Sequence, residues 1–173
     1  MSRELWDFDE NKNYILINGY KVLNTKNADK AVLLLNKLDN IILRTFSSIQ
    51  FKESMTPELN LLITTPYSLQ EMQLPEDQGM IIFEGLNKPK NVEFMSKETR
   101  LGIDGKLRAK KRLIFIQLRK ENNKLKPIKD LIGLIAHEFA HTAMNHVTWR
   151  DDDHDKNFKK VNKIILKHIL FNI

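Results

Sequence analysis

The chain contains no cysteine, and this absence excludes disulfide bonds, a thiolate zinc ligand and a cysteine nucleophile together. Glycine and proline are sparse, with 6 and 5 positions among 173, and no internal repeat or low-complexity stretch divides the sequence. No apolar run approaches the length of a membrane span. Residues 1–9 are polar and acidic, whereas a secretory signal begins basic and continues apolar. We therefore expect one domain over residues 1–173 that is intracellular and not secreted.

The composition supplies enough apolar material for a folded core. Hydrophobic residues make up 42% of the chain, and a chain of this size buries about 70% of the surface that its unfolded form exposes. Apolar periodicity predicts a helix over residues 28–51, with Asn27 or Asp29 as its start signal, and a C-terminal amphipathic helix after His154. Strands are predicted over residues 59–64, 80–84, 91–95 and 112–118. This order of elements indicates an α+β fold.

One short run in the second half of the chain places two histidines four residues apart with a glutamate beside the first, His137-Glu138-Phe139-Ala140-His141. On a helix, histidines four residues apart lie on one face, where they can share a metal ion. Neutral imidazole suits Zn²⁺, and a hydrolytic zinc site has three protein ligands and one position open for water. A carboxylate beside the first histidine can take a proton from that water. The run therefore predicts His137 and His141 as zinc ligands and Glu138 as the catalytic base.

The sequence before this run predicts a helix that is buried on one side. Pro127 stands at its start, and apolar residues recur at positions 128, 131, 132, 135 and 139. A buried helix holds ligand geometry tightly, whereas two histidines on a frayed surface turn do not. The alternative interpretation is a helix that merely carries two surface histidines.

A third ligand has to come from another part of the chain. On a continuing helix, His146 would point about 140° away from His141, at 100° per residue. His154 follows a polar break in which the chain can turn back, so it is the first candidate. His146 is the second, and a carboxylate from the acidic residues 151–153 is the last. His168 lies deep in the C-terminal helix, where a packing or surface role is expected.

Three stretches of the sequence resemble the WLM metalloproteases and their Spartan/SprT relatives. Leu101-Gly102-Ile103, followed by residues 112–119, looks like the family's Leu-Gly segment and its apolar strand ending in Leu-Arg. Residues 127–141 look like the helix that leads into the zinc motif. His154-Asp155-Lys156-Asn157-Phe158 is similar to the family's His-Asp-x-x-Phe, whose histidine is the third zinc ligand. The resemblance covers residues 80–170, and the long spacing from His141 to His154 is nearer to SprT than to WLM proteins.

The resemblance implies a zincin-like fold with a small, mostly antiparallel sheet, a helix carrying the zinc motif and a C-terminal helix. It implies an endopeptidase that cleaves DNA-bound or DNA-crosslinked proteins, with one catalytic Zn²⁺ on His137, His141 and His154 and with Glu138 as proton acceptor. In zincins the strand before the zinc helix tends to be a sheet edge along which substrate lies, so residues 111–119 are expected beside the cleft. An ordinary buried strand is an equally weighted alternative for these residues. The acidic residues 151–153 and 155 are candidates to orient the imidazoles.

The charge of the chain indicates a polyanionic partner. Its 28 Lys and Arg exceed its 22 Asp and Glu, which gives a net charge of +6. Basic residues concentrate at positions 106–129, which include Arg112 and Arg119, and at positions 156–167. In the second stretch, lysines share a helix face, which is typical of either a solvated face or phosphate contact. We expect weakly sequence-specific DNA binding by a monomer in the nucleus, another DNA-containing compartment or a virus.

Two other functions stay open. A general zinc metallopeptidase would use the same site with a basic surface that serves only solubility, and DNA would not affect its cleavage. A non-enzymatic nucleic-acid-binding protein would use zinc as a structural ion, and the intact Glu138 argues against it. We favour DNA-linked proteolysis, then the general peptidase, then the binding protein.

Overall fold

The computed structural model describes residues 13–54, 56–72, 84–94, 107–147 and 154–173. Within these ranges, the elements in chain order are β1 (Tyr14–Ile17), β2 (Tyr20–Leu23), α1 (Ala28–Ser47), α2 (Ile49–Glu53), α3 (Pro57–Thr64), β3 (Tyr67–Glu71), β4 (Gly85–Phe94), β5 (Leu107–Ile116), α4 (Ile128–Ala143) and α5 (Lys156–Phe171). The strands form two small sheets. The predicted α+β class is therefore confirmed at this level.

Strands β1 and β2 form an antiparallel hairpin that is absent from the elements predicted above. Its turn consists of Asn18 and Gly19, whose φ angles are 50° and 84°. A two-residue hairpin turn of this type needs positive φ at both positions, and Asn-Gly supplies it with little strain. The Tyr20 hydroxyl donates a hydrogen bond to Asp39 of α1 at 2.5 Å, which fixes the hairpin to the helix.

The helix predicted over residues 28–51 is two helices, because Ser48 interrupts it. The backbone of Ser48 is extended, with φ −69° and ψ 148°, and its N–H bonds back to the Thr45 carbonyl at 3.2 Å. Its hydroxyl oxygen accepts a hydrogen bond from the Phe51 N–H at 3.1 Å and so caps α2. Serine favours such local bonds over continuing a helix. The prediction was right about helix type and wrong about continuity.

The predicted strand over residues 59–64 is wrong, since these residues form α3. Thr56 caps the helix by accepting a hydrogen bond from the Leu59 N–H at 3.4 Å. Pro57 stands in the first turn, where its missing N–H costs nothing. Leu59 and Leu62 are both buried, and this spacing of three fits a helix rather than the alternation of a strand. The helix start signals Thr56 and Pro57 therefore decide the structure of this segment, although its apolar run also fits a strand.

Strand β5 is the central strand of the larger described sheet, whose order is β3, β5, β4. It pairs in parallel with β3 and antiparallel with β4, so the sheet is mixed. Of the two interpretations of this strand, the sheet edge is therefore wrong and the ordinary buried strand is confirmed. The edge strand that contacts α4 is β4, and Pro89 within it fits an edge because proline donates no ladder hydrogen bond. The strand predicted over 112–118 is confirmed within β5, and the one over 91–95 falls in β4 as far as Phe94.

Both faces of β5 are buried over residues 112–116, which explains the apolar run from 113 to 116. Ile114 and Ile116 join the main core with residues of α1, α4 and α5. Leu113 and Phe115 point to the opposite face and pack in a smaller cluster with Met72 and Leu86. The predicted C-terminal helix is confirmed as α5, whose buried residues are Phe158, Val161, Ile165 and Ile169. Helix α4 thus contacts the sheet as well as α5.

Two arginines of the first basic stretch are buried rather than exposed. Arg119 places Nε 2.6 Å from Glu71 Oε2, and the two side chains are 3% and 0% exposed. Arg119 also donates to Asn27, which precedes α1. Arg112 is 1% exposed and bonds to groups of the protein itself. The first stretch is therefore not a continuous basic surface, because these two charges are used inside the fold.

Several predictions from the sequence fall on residues that are not described. These are the start of the strand predicted over 80–84, the segment Leu101-Gly102-Ile103 and the acidic residues 151–153. Glu84 is described and forms a bend before β4. Among the helices of the described ranges, none has the length and apolarity needed to cross a membrane.

Candidate metal centre

Helix α4 carries two of the candidate ligands together with the candidate base. It begins after Pro127 and buries Leu131, Ile135 and Phe139 among other residues. Because residues four apart share a helix face, the imidazole rings of His137 and His141 have centroids 5.1 Å apart. The buried side of the helix holds both histidines in fixed positions relative to the core.

His154 reaches this pair from the position just before α5. The Asp155 carboxylate accepts a hydrogen bond from the Phe158 N–H at 2.8 Å and caps the helix. The His154 ring centroid lies 4.8 Å from that of His137 and 5.1 Å from that of His141. One ring nitrogen from each of the three histidines lies within 4.8 Å of the other two. The fold therefore brings together three imidazoles that can bind a metal ion.

Phe158 is the packing partner that all three histidines share. Its side chain is 2% exposed. Its ring centroid lies 5.2 Å from His137, 4.8 Å from His141 and 4.7 Å from His154. Contact with one rigid apolar ring limits the rotation of each imidazole. The site is thus preorganised by packing before any ion binds.

The donor set fits a transition-metal ion, because it offers nitrogen atoms rather than the oxygen atoms that calcium and magnesium prefer. Burial, followed by the charges of His146, His137, His154 and Arg112, lowers the pKa of His141 to about 2. His141 is therefore neutral at physiological pH, which is the form that binds a metal. Zinc–nitrogen bonds are about 2.0–2.1 Å long. Ring nitrogens that share one zinc ion must therefore lie closer to each other than 4.8 Å, the spacing within which the three now lie. The ring of His154 is the exposed one of the three.

The side chain of Glu138 lies against the start of β4. Glu138 is 5% exposed. A Cβ atom on Gly85 would lie 3.0 Å from Glu138 Cγ and 3.1 Å from its Oε1. Only glycine leaves room for so close an approach between a strand and a neighbouring side chain. An edge strand of the sheet thus passes directly beside the candidate catalytic carboxylate.

Asn87 ties the same strand to the second half of α4. Its Nδ2 donates to the Glu138 carbonyl at 2.6 Å and to the Thr142 hydroxyl at 2.7 Å. Its Oδ1 accepts from Arg112 Nη1 at 3.3 Å, and that nitrogen also donates to the His146 carbonyl at 2.6 Å. These side chains are buried, where each unmade hydrogen bond costs about 1–3 kcal/mol. The network therefore fixes α4 against the sheet at the level of Glu138.

The structure brings together the three residues predicted as ligands. His146 lies outside the group of three and contacts the His141 ring instead, because α4 ends at Ala143 and does not continue. His168 packs against Phe51, with ring centroids 5.3 Å apart, as expected for a packing residue. The Asp155 carboxylate accepts a hydrogen bond from the α5 backbone, and the other candidates for orienting the imidazoles, residues 151–153, lie outside the described residues.

Three residues of the site escaped prediction. Nothing in the local sequence marks Gly85 or Asn87, because their roles depend on the pairing of β4 with β5 and on its contact with α4. Arg112 looked like one more surface charge of a basic stretch. The contact of His146 with His141 did have a signal in the sequence, which is Asn145. Asparagine often ends a helix in the left-handed conformation that it adopts here, with φ 57°.

Comparison with known proteins finds no relative of this chain. No protein-family model matches the chain, and no curated protein or solved structure gives a significant match. The resemblance to WLM and SprT proteases therefore stays a prediction. What the structure itself contributes is the placement of the three histidines and of Glu138.

We expect the metal-free chain to lose stability as the pH falls below about 6.5, the ordinary histidine pKa. The unfolded state binds a proton at His141 in that range, whereas the folded state keeps His141 neutral because its pKa is lowered to about 2. The free energy of unfolding should fall by about 1.4 kcal/mol per pH unit from this residue alone. Urea unfolding at pH 7, 6 and 5 measures the slope. The His141→Gln variant should show a slope smaller by one proton, and an equal slope would contradict the assignment.

Proposed function

We propose that this chain is a zinc-dependent endopeptidase of the WLM or SprT type that cleaves proteins bound or crosslinked to DNA. The observation that supports this most is the joint placement of His137, His141 and His154 around one point, with Glu138 on the same helix as the first two. Among the described residues these three are the ligands found, and three protein ligands leave one coordination position open. An open position is typical of catalytic zinc sites, whereas structural zinc sites use four protein ligands.

The chain supplies both the ligands and the proton acceptor for peptide hydrolysis. His137, His141 and His154 would hold the ion. When bound, zinc would lower the pKa of a water molecule to about 7 and polarise the substrate carbonyl. Glu138 takes the proton of the attacking water and returns it to the departing amide nitrogen. Its burial beside β4 keeps bulk water away from the carboxylate and strengthens its interactions with charge.

Strand β4 is the element on which we place the substrate peptide. It is an edge of the sheet formed by the described strands, and its first residue, Gly85, lies against Glu138. An extended peptide can add to a strand edge through main-chain hydrogen bonds, which require no particular side chains. Binding of this kind suits an enzyme that acts on many different crosslinked proteins.

The lysines of α5 support DNA as the polyanionic partner. Lys156, Lys160, Lys163 and Lys167 are exposed, on the face opposite the buried Phe158. Since α5 begins just after His154, this lysine face starts beside the metal centre. Phosphates bound there would bring a DNA-linked protein to the site by a sequence-independent attraction.

We predict that Glu138→Gln binds zinc as the unchanged chain does but cleaves about 10²–10⁴-fold more slowly, because an amide cannot accept the proton. The measurement is cleavage of a DNA-crosslinked protein by the zinc-loaded chain, with and without free single-stranded DNA. Zinc content of both proteins is determined in parallel. Cleavage that requires both Glu138 and DNA is the expected result.

The other outcomes separate the competing functions. Cleavage that depends on Glu138 but ignores DNA would identify a general metallopeptidase. Zinc binding without any cleavage would favour a binding protein with a structural ion. Cleavage that survives Glu138→Gln would point to a contaminating protease and remove the support for the proposed mechanism.

We predict that the double variant Lys160→Glu and Lys163→Glu binds single-stranded DNA at least tenfold more weakly, with a salt dependence reduced by about one ion per lysine. Fluorescence anisotropy at several salt concentrations measures both quantities. The double variant Lys30→Glu and Lys37→Glu is the matched control, since these exposed lysines lie on α1 and the net charge changes equally. Equal losses in the two variants would show a nonspecific charge effect instead of a lysine face.

We predict that Gly85→Ala lowers kcat about 10²-fold with little change in zinc affinity, because its methyl group would displace the Glu138 side chain and misplaced catalytic groups lose rate steeply. Gly133→Ala is the control on α4 itself, where an added Cβ meets nothing within 4 Å. The control should keep full activity and gain up to about 1 kcal/mol of stability from helix propensity. Equal activity of the two variants would contradict the placement of Glu138 against β4.

A further inference from the structure

His146 turns back onto His141 because of the way α4 ends. Asn145 adopts φ 57°, the left-handed conformation that terminates many helices. The His146 N–H then bonds to the His141 carbonyl at 3.0 Å, a bond that reaches five residues back. As a result, the Nδ1 atoms of the two imidazoles lie 2.8 Å apart, at hydrogen-bonding distance.

His146 is held in this position through both its side chain and its backbone carbonyl. It stacks on Phe158, with ring centroids 5.9 Å apart and planes inclined by 6°. Its carbonyl accepts a hydrogen bond of 2.6 Å from the buried Arg112 guanidinium. His146 is 9% exposed, so little water competes for its ring nitrogen. The contact with His141 is therefore a fixed part of the fold.

We propose that His146 is a positioning residue that accepts a hydrogen bond from His141 Nδ1–H and thereby directs His141 Nε2 to the metal. This inference rests on the metal site of the proposed function. A neutral imidazole carries one proton, and a ring that binds an ion through Nε2 must carry it on Nδ1. A hydrogen-bond acceptor at Nδ1 fixes both the tautomer and the ring plane. His146 then carries its own proton on Nε2.

The short contact also separates His146 from the ligands themselves. A tetrahedral ion with bonds of about 2.0–2.1 Å holds two nitrogen ligands about 3.4 Å apart, whereas the two Nδ1 atoms lie 2.8 Å apart. No ion fits between them at that distance. His146 therefore acts on the metal through His141 and does not coordinate it through Nδ1.

Two substitutions separate the hydrogen bond from the packing of the ring. His146→Asn loses the ring but places Oδ1, an acceptor, where Nδ1 stood. His146→Phe keeps a ring that can stack on Phe158 but has no acceptor. We expect His146→Asn to bind zinc within about threefold of the unchanged chain and His146→Phe to bind it 10–100-fold more weakly, the usual loss for such a partner. Zinc dissociation constants come from competition with a chromophoric chelator, and thermal unfolding of the metal-free proteins checks that each is folded.

The unchanged protein provides a second readout that needs no variant. In the zinc-loaded chain, long-range ¹H–¹⁵N spectra of the imidazoles should show His141 protonated on Nδ1 and His146 on Nε2. The reverse pattern would overturn the proposal, as would a His146→Phe variant that is folded and binds zinc as tightly as the unchanged chain. An unchanged chain that binds no zinc would overturn the proposed function as well. Zinc binding with the reverse pattern would overturn only the role of His146.

Discussion

The packing of α5 against α4 through Phe158 is the interaction on which the candidate site depends. Two ligands lie on α4 and the third lies just before α5, so the three imidazoles meet only when these helices are docked. Phe158 is buried at the centre of that contact and touches the rings of His137, His141, His154 and His146. The same apolar contact that stabilises the core therefore also sets the geometry of the donor atoms, and folding and preorganisation of the site are one event.

A second constraint fixes α4 to the sheet. Arg112 and Asn87 are buried and carry polar groups that cannot turn to water, so each has to bond within the protein. Their partners are backbone and hydroxyl groups at the end of α4, including the Glu138 and His146 carbonyls. Because an unpaired buried polar group costs free energy, these hydrogen bonds fix one position of α4 along the sheet, which apolar packing alone would not fix. The candidate base Glu138, strand β4 and the end of α4 are thereby held in fixed positions relative to one another.

Local sequence signals predicted the elements that carry the chemistry better than those that surround them. Helices α4 and α5 have long apolar periods with Pro127 and Asp155 at their starts, and both are confirmed. The short apolar run of α3 was mistaken for a strand, although Thr56 and Pro57 are helix start signals. The turn residues Asn18 and Gly19 equally marked a hairpin that was not predicted. The first error arises because a run of six or so apolar residues fits a strand or a buried helix equally well and only its ends distinguish them.

The sequence by itself determined that His137 and His141 lie on one face of a helix and that Glu138 directly follows the first of them, because helical periodicity is a local property of the backbone. Its motifs also ranked His154 above His146 as their partner, and the structure places His154 beside them. Tertiary structure alone decided that β4, rather than β5, is the edge strand beside Glu138 among the described strands, because strand order depends on pairing between distant segments. It also decided that Arg112 and Arg119 are internal groups. Burial and contact across many residues of separation are properties of the packed chain, and no local pattern encodes them.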